Sequence, residues 1–233
     1  ALKIRIKFAK QGTMKFIGHL DVMRYFQKAM RRADVDIRYS EGFSPHQIMS
    51  FASPLGVGLT SVGEYMDIEV HSTDSSAEME RRLNEAMVEG FQVLSWRRLP
   101  DEAGNAMSLV DAADYTVRLR ESCRPEDAAG FFSGLEAFSA QDSIPIVKKT
   151  KKGEREMDLK PLIYQLRAED GEEPRAFMRI SAGSSDNVKP ELVLETYCRA
   201  AGREWNPLAF EIQREELYAP GFVPLEEMGE IIE

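Results

Sequence analysis

From residue 2 to residue 9, apolar and basic positions alternate. Leu2, Ile4, Ile6 and Phe8 stand against Lys3, Arg5 and Lys7, the period of a strand with one buried face. Over residues 19–33 the period changes. At 100° per residue Val22, Met23, Phe26, Ala29, Met30 and Ala33 fall on one arc and Arg24, Lys28, Arg31 and Arg32 on the other, which predicts an amphipathic helix. Residues 36–59 predict a short strand, a turn-rich stretch over 40–46 and a second extended piece over 48–55. Residues 65–70 alternate again. Ser75 and Glu78 form a capping-box pattern ahead of the stripe Met79, Leu83, Ala86 and Met87, with Gly90 at the C-terminal cap. A further strand is predicted over 91–99. The order β-α-β-β-α-β predicts a ferredoxin-like unit, an antiparallel sheet with two helices on one face.

Residues 100–113 are acidic, small and turn-forming, and are expected to act as a linker. The order then repeats: a strand over 115–120, a helix after Pro125 with Ala128, Phe131, Phe132, Leu135 and Phe138 inward, and a strand over 144–149. A β-rich middle over 154–180 turns at 169–172, a helix opens at Pro190 and ends at Gly202, and a last strand covers 209–217. The expected class is α+β, with tandem ferredoxin-like (βαββαβ) domains over 1–99 and 114–218, both with antiparallel sheets, and a C-terminal tail over 219–233. Gly130 and Gly134 weaken the first helix of the second domain.

The 233 residues are 43% hydrophobic and 30% charged, which excludes intrinsic disorder. No apolar run reaches the roughly 20 residues of a membrane span, and residues 1–5 lack a secretory apolar block, so a cytoplasmic protein with no membrane partner is expected. The formal net charge of -9 argues against a polyanionic partner until it is divided. Residues 1–60 hold ten Lys/Arg against four Asp/Glu, a formal +6, which leaves 20 basic and 35 acidic residues, -15, to positions 61–233. Any phosphate should therefore meet the N-terminal domain, while the second domain is acidic overall.

That basic region holds the main candidate site for nucleic acid. Arg24, Lys28, Arg31 and Arg32 on the helix, with Lys3, Arg5 and Lys7 on the first strand, supply cations for phosphates. Tyr39, Phe43 and His46 in the following loop supply rings that could stack on unpaired bases. Tyr39, Phe43 and Phe51 are equally compatible with core positions. A second basic run, Lys148, Lys149, Lys151 and Lys152, reads as a hairpin tip. No catalytic residue is assigned; His19 and His46 are the candidates for acid-base work. Two cysteines, Cys123 and Cys198, outside any paired motif, assign no metal to this chain.

Several separated strings resemble one bacterial family, the radical SAM-linked domain of unknown function, found beside or fused to radical SAM enzymes. They are residues 16–21 (FIGHLD), 24–33, 39–46 (YSEGFSPH), 50–52, 64–67 (EYMD), 148–159 and 214–219 (REELYA), nearly the whole chain in order. Gln47 and Gly56 stand where the family tends to have proline. Gly18, His19, Asp21, Gly42, Pro45, Glu64, Tyr65 and Asp67 are family-motif positions without assigned roles. The resemblance implies a partner enzyme that carries the iron-sulfur cluster and S-adenosylmethionine. This chain lacks the C-x-x-x-C-x-x-C ligand motif and is expected to hold no cofactor itself. The expected function is that of a non-catalytic accessory protein presenting tRNA or rRNA to a radical SAM enzyme. The alternatives are a metal-independent RNA-processing enzyme using His19 or His46, and a protein scaffold or small-molecule sensor.

Overall fold

The computed structural model describes residues 1–233. It is an α+β protein whose strands are mostly antiparallel, and it divides into two compact units. The first comprises Ala1–Ala112 and Arg214–Glu233, the second Ala113–Gln213.

The first unit contains β1 (Leu2–Lys10), α1 (His19–Arg32), β2 (Met49–Phe51), β3 (Thr60–Val70), α2 (Ser76–Ala86), β4 (Phe91–Arg98) and a single turn, α3 (Ala106–Leu109). β1 lies between β3 and β4, antiparallel to both, and β2 pairs with β3 on its far side. The alternation of β1 has its expected consequence on one face. Ile4, Ile6 and Phe8 join Val22, Phe26 and Met30 of α1, Met79 and Leu83 of α2, and Trp96 of β4 in one buried core. Phe8, Phe26, Phe51 and Phe91 meet within it at ring-centroid distances of 4.6–6.5 Å. Ser75 caps α2 by accepting from the Glu78 backbone N at 3.2 Å, as the capping pattern predicts.

The other face of β1 differs from expectation. Residues 100–113 are packed against the sheet: Asp67 accepts from the Ala106 N at 2.7 Å, and Gly104 O accepts from Arg5. Residues 219–233 likewise carry structure. They hold β11 (Val223–Pro224) and β12 (Glu230–Ile231), and β12 pairs with β4.

The second unit contains β5 (Ala112–Leu119), α4 (Ala128–Ser139), β6 (Pro145–Thr150), β7 (Gly153–Asp158), β8 (Ile163–Glu169), β9 (Arg175–Ser181) and α5 (Pro190–Ala200). β10 (Phe210–Ala219) starts in this unit and ends in the first. The strand order here is β10-β5-β9-β8, with β6 and β7 forming a separate hairpin. α4 forms despite its glycines because each has a local use. Asp127 caps it through the Gly130 N at 2.8 Å. A Cβ at Gly134 would lie 2.3 Å from the Tyr197 hydroxyl, which donates instead to Phe131 O at 3.1 Å.

Candidate nucleic-acid interface

α1 begins at Gly18, whose carbonyl accepts from Val22 N at 3.0 Å, and Asp21 in the first turn and Arg31 and Arg32 in the last complement the helix dipole. Burying Val22, Phe26, Ala29 and Met30 turns Arg24, Lys28, Arg31 and Arg32 to solvent. Arg24 meets Asp21 at 3.4 Å, but both are exposed, and such a pair is worth about 0.3–0.5 kcal/mol, too little to withhold the guanidinium from a phosphate.

The loop after α1 is built as a platform. Tyr39 and Gln47 form an isolated bridge, and Ser40 N donates to His46 O at 2.8 Å. The Ser40 hydroxyl accepts from His46 N at 3.1 Å and lies 2.9 Å from His46 Nδ1. Gly42 takes φ +110°, a backbone angle that favours glycine, so the chain turns at the tip. Phe43 beside it is 109% exposed, Tyr39, Pro45 and His46 are exposed, and Phe51 alone of the three rings enters the core. Gln47 joins the two parts: it is buried, and its Nε2 donates to Gln27 O of α1 at 3.0 Å. Thus the aromatic loop is fastened to the helix that carries the cations.

The β1 cations do not join this surface. Arg5 is 1% exposed and forks onto Asp67, Nε to Oδ1 at 2.8 Å and Nη2 to Oδ2 at 3.0 Å, with further bonds to Leu225 O and Gly104 O. Lys7 bonds Glu216 at 2.8 Å and Glu226 at 3.3 Å. Burial lowers its pKa, but the bond and charge of Glu216, with Glu226, outweigh that and leave it above the ordinary lysine value. Lys3 donates to Asp101 O and Ala103 O. The reason is tertiary: the polar face of β1 lies under residues 101–106 and 225–228, so its cations serve internal partners. Lys148, Lys149, Lys151 and Lys152 are exposed on the β6–β7 hairpin of the second unit.

Glu64 and Tyr65 of the motif positions make contacts within the chain. Glu64 accepts from Arg214 at 2.7 and 2.9 Å and from Ser61 at 2.6 Å, and Tyr65 donates to Glu216 at 2.6 Å. His19 packs edge-on against Phe51, centroids 5.3 Å apart, and lines a cleft of about 20 Å³ with Lys10 and Glu64, room for one water. Lys10 is held on Ile17 O at 2.8 Å, its pKa lowered by burial and by Arg214. Neither histidine is paired with a carboxylate; His46 Nδ1 lies against the Ser40 hydroxyl instead. No group of three or more His, Cys, Asp or Glu is placed to hold a metal. Sequence reasoning missed Gln47, whose role as a fastener has no local signal. It also missed the exposed Phe16, just ahead of α1, and Leu20 in its first turn.

The chain is thus an α+β protein with a solvent-facing surface of cations and aromatic rings. It belongs to the family of uncharacterized proteins conserved in bacteria (DUF2344), whose model matches residues 3–190. None of the curated proteins matches the sequence. Among solved structures it is similar to a chain of a Cbf5-Nop10-Gar1 complex, with TM-score 0.45 and 11% identity over 92% of this chain. It spans about half, 48%, of that chain. An unknown protein from Galdieria sulphuraria gives TM-score 0.26 at 12% identity, covering 92% of this chain and 97% of that one. DyPB from Rhodococcus jostii RHA1 gives 0.24 at 12%, covering 85% and 83%. Likeness at this level carries no functional argument. No helix is long and apolar enough to cross a membrane.

Proposed function

We propose that the first unit binds RNA through the exposed face of α1 and the 39–47 loop, and that the protein is a non-catalytic accessory which presents this RNA to a separate radical SAM enzyme. The observation that carries the RNA reading is the Gln47–Gln27 hydrogen bond, which sets Phe43, Tyr39 and His46 beside the helix bearing Arg24, Lys28, Arg31 and Arg32. Cations attract the backbone and rings stack on bases, so unpaired RNA fits better than a duplex, whose bases are already stacked. The strand orders β4-β1-β3-β2 and β10-β5-β9-β8 support a ferredoxin-like reading of both units. The partner enzyme rests on the family resemblance; the cluster and S-adenosylmethionine belong to it. The hairpin lysines Lys148, Lys149, Lys151 and Lys152 are a secondary phosphate-contacting element.

Fluorescence anisotropy with single-stranded and duplex RNA at several salt concentrations tests this. Expected is salt-sensitive binding that prefers single strands. In an Arg24→Ala/Lys28→Ala/Arg31→Ala variant the log-log salt slope should fall by about 2, roughly 0.7 per lost single-strand contact. Salt-independent binding, or a slope unchanged in the triple variant, would remove α1 as the interface. The partner is tested separately, by co-purification with a radical SAM enzyme; loss of RNA binding with retained co-purification would leave the scaffold role standing alone.

A further inference from the structure

The two cysteines of this chain lie 75 positions apart in sequence, yet both line one cavity of about 280 Å³ in the second unit. Cys123 ends a short 3-10 turn, Glu121–Cys123, and is partly exposed, whereas Cys198 lies in α5 and is buried. The walls are otherwise apolar, with Phe131 and Phe210, apart from a polar side made by Arg203, Glu204 and Asn206. Arg203 N donates to Cys198 O at 2.8 Å, and its guanidinium lies over the Phe131 ring, Cζ 5.2 Å from the centroid. No carboxylate of the chain is paired with it. The cavity thus presents an accessible thiol, a sheltered thiol and a guanidinium that is not ion-paired with the neighbouring Glu204.

We propose that this cavity is a two-thiol modification site for low-molecular-weight disulfides that carry a carboxylate, with Arg203 holding the carboxylate, Cys123 the attacking group and Cys198 the resolving group. In the first step the Cys123 thiolate attacks one sulfur of the reagent. The Cys123–sulfur bond forms, the reagent's S–S bond breaks, and one equivalent leaves as a thiolate. In the second step the Cys198 thiolate attacks Cys123 Sγ and displaces the other equivalent. The two protein thiols lose two electrons and release their protons to solvent, and the reagent disulfide is reduced to two thiols. Burial raises the Cys198 pKa and Arg203 opposes that rise, which suits a group that waits for a bound partner rather than reacting with solvent reagents. The inference is independent of RNA binding, since none of its residues lies on α1 or the 39–47 loop.

Incubating the full chain with oxidised glutathione, which carries carboxylates, or with cystamine, which carries only amines, followed by intact-mass measurement and non-reducing peptide mapping, tests it. Expected for the wild type is an internal Cys123–Cys198 disulfide. The Cys198→Ser variant should stop at the glutathione adduct on Cys123, and the Cys123→Ser variant should stay unmodified. Arg203→Ala should slow the glutathione reaction roughly ten-fold while leaving or raising the cystamine rate. The wild type alone gives a second reading should a variant not fold: protection of both cysteines from alkylation after oxidation, restored by reductant. A wild type that keeps an adduct on Cys123 without closing the bridge would overturn the resolving role. Equal rates with the two reagents, unchanged in Arg203→Ala, would overturn the carboxylate preference.

Discussion

Arg214 forks onto Glu64 at 2.7 and 2.9 Å, with both side chains more than nine-tenths buried. The pair ties β10 to β3, and Ser61 completes it by donating to Glu64 Oε2 at 2.6 Å. Removing one partner strands a buried charge, so Arg214→Ala is expected to cost about 3–5 kcal/mol in chemical denaturation. Replacing both, as Glu64→Met with Arg214→Leu, should recover much of that loss. Equal destabilisation by the single and the double change would show that the charges do not act as a pair.

Close approach at the same place gives a second expectation. A Cβ on Gly63 would lie 2.6 Å from Glu215 O and 2.7 Å from Glu216 Cα, both backbone atoms that cannot swing away. Gly63→Ala should therefore force the strands apart and destabilise by about 1–3 kcal/mol, the range of overpacked sites. Gly58→Ala has open space but a φ of +93°, and should lose a smaller amount, of order 1 kcal/mol, from backbone strain alone. Thermal denaturation of the two variants side by side checks the order.

Glu216 sets the alkaline behaviour of the fold. Tyr65 is held protonated by burial first and then by the charge and hydrogen bond of Glu216, and Lys7 is held protonated because Glu216 and Glu226 outweigh its burial. Both folded-state pKa values lie above the unfolded ones. The stability these groups contribute is then fully present below about pH 10, near their ordinary values, and is lost as pH rises through the folded values. Unfolding free energy should fall above about pH 10, and less steeply in Glu216→Gln than in the wild type. Phenolate absorbance from Tyr65 should appear only with unfolding; its appearance in the folded protein would contradict the assignment.

Much of this fold is legible in the sequence where one residue's neighbours along the chain decide its state. The alternation of β1, the stripe of α1 and the Ser75 cap of α2 are local patterns, and each has its structural counterpart. What is illegible depends on distant segments. Nothing in Lys3, Arg5 and Lys7 says that residues 101–106 and 225–228 will cover them, so a strand read as a basic surface becomes the seat of internal hydrogen bonds and, for Arg5 and Lys7, ion pairs. The same holds for the loop: Tyr39, Phe43 and Phe51 are equivalent by composition, and only the fold sends Phe51 inward and leaves Phe43 in solvent.

Phe43 carries a ring and the α1 side chains carry charge, so their contributions to RNA binding can be told apart. Phe43 contributes a ring and no charge, and its full exposure means that its removal leaves the core intact. Phe43→Ala is expected to weaken single-strand binding by about 1–3 kcal/mol, the worth of one stacked base, with the salt slope unaltered. Arg24→Ala or Lys28→Ala should instead lower the slope by about 0.7 each. His46→Ala removes the contact to Ser40 and should loosen the platform, weakening binding less than Phe43→Ala; His19→Ala, packed on Phe51, should leave binding unchanged and cost only stability. Incubating labelled RNA with the wild type and both histidine variants decides the rival enzymatic reading. Cleavage by the wild type that disappears in either variant would make the protein a nuclease and overturn the accessory role; intact RNA with all three agrees with a surface that binds and presents it.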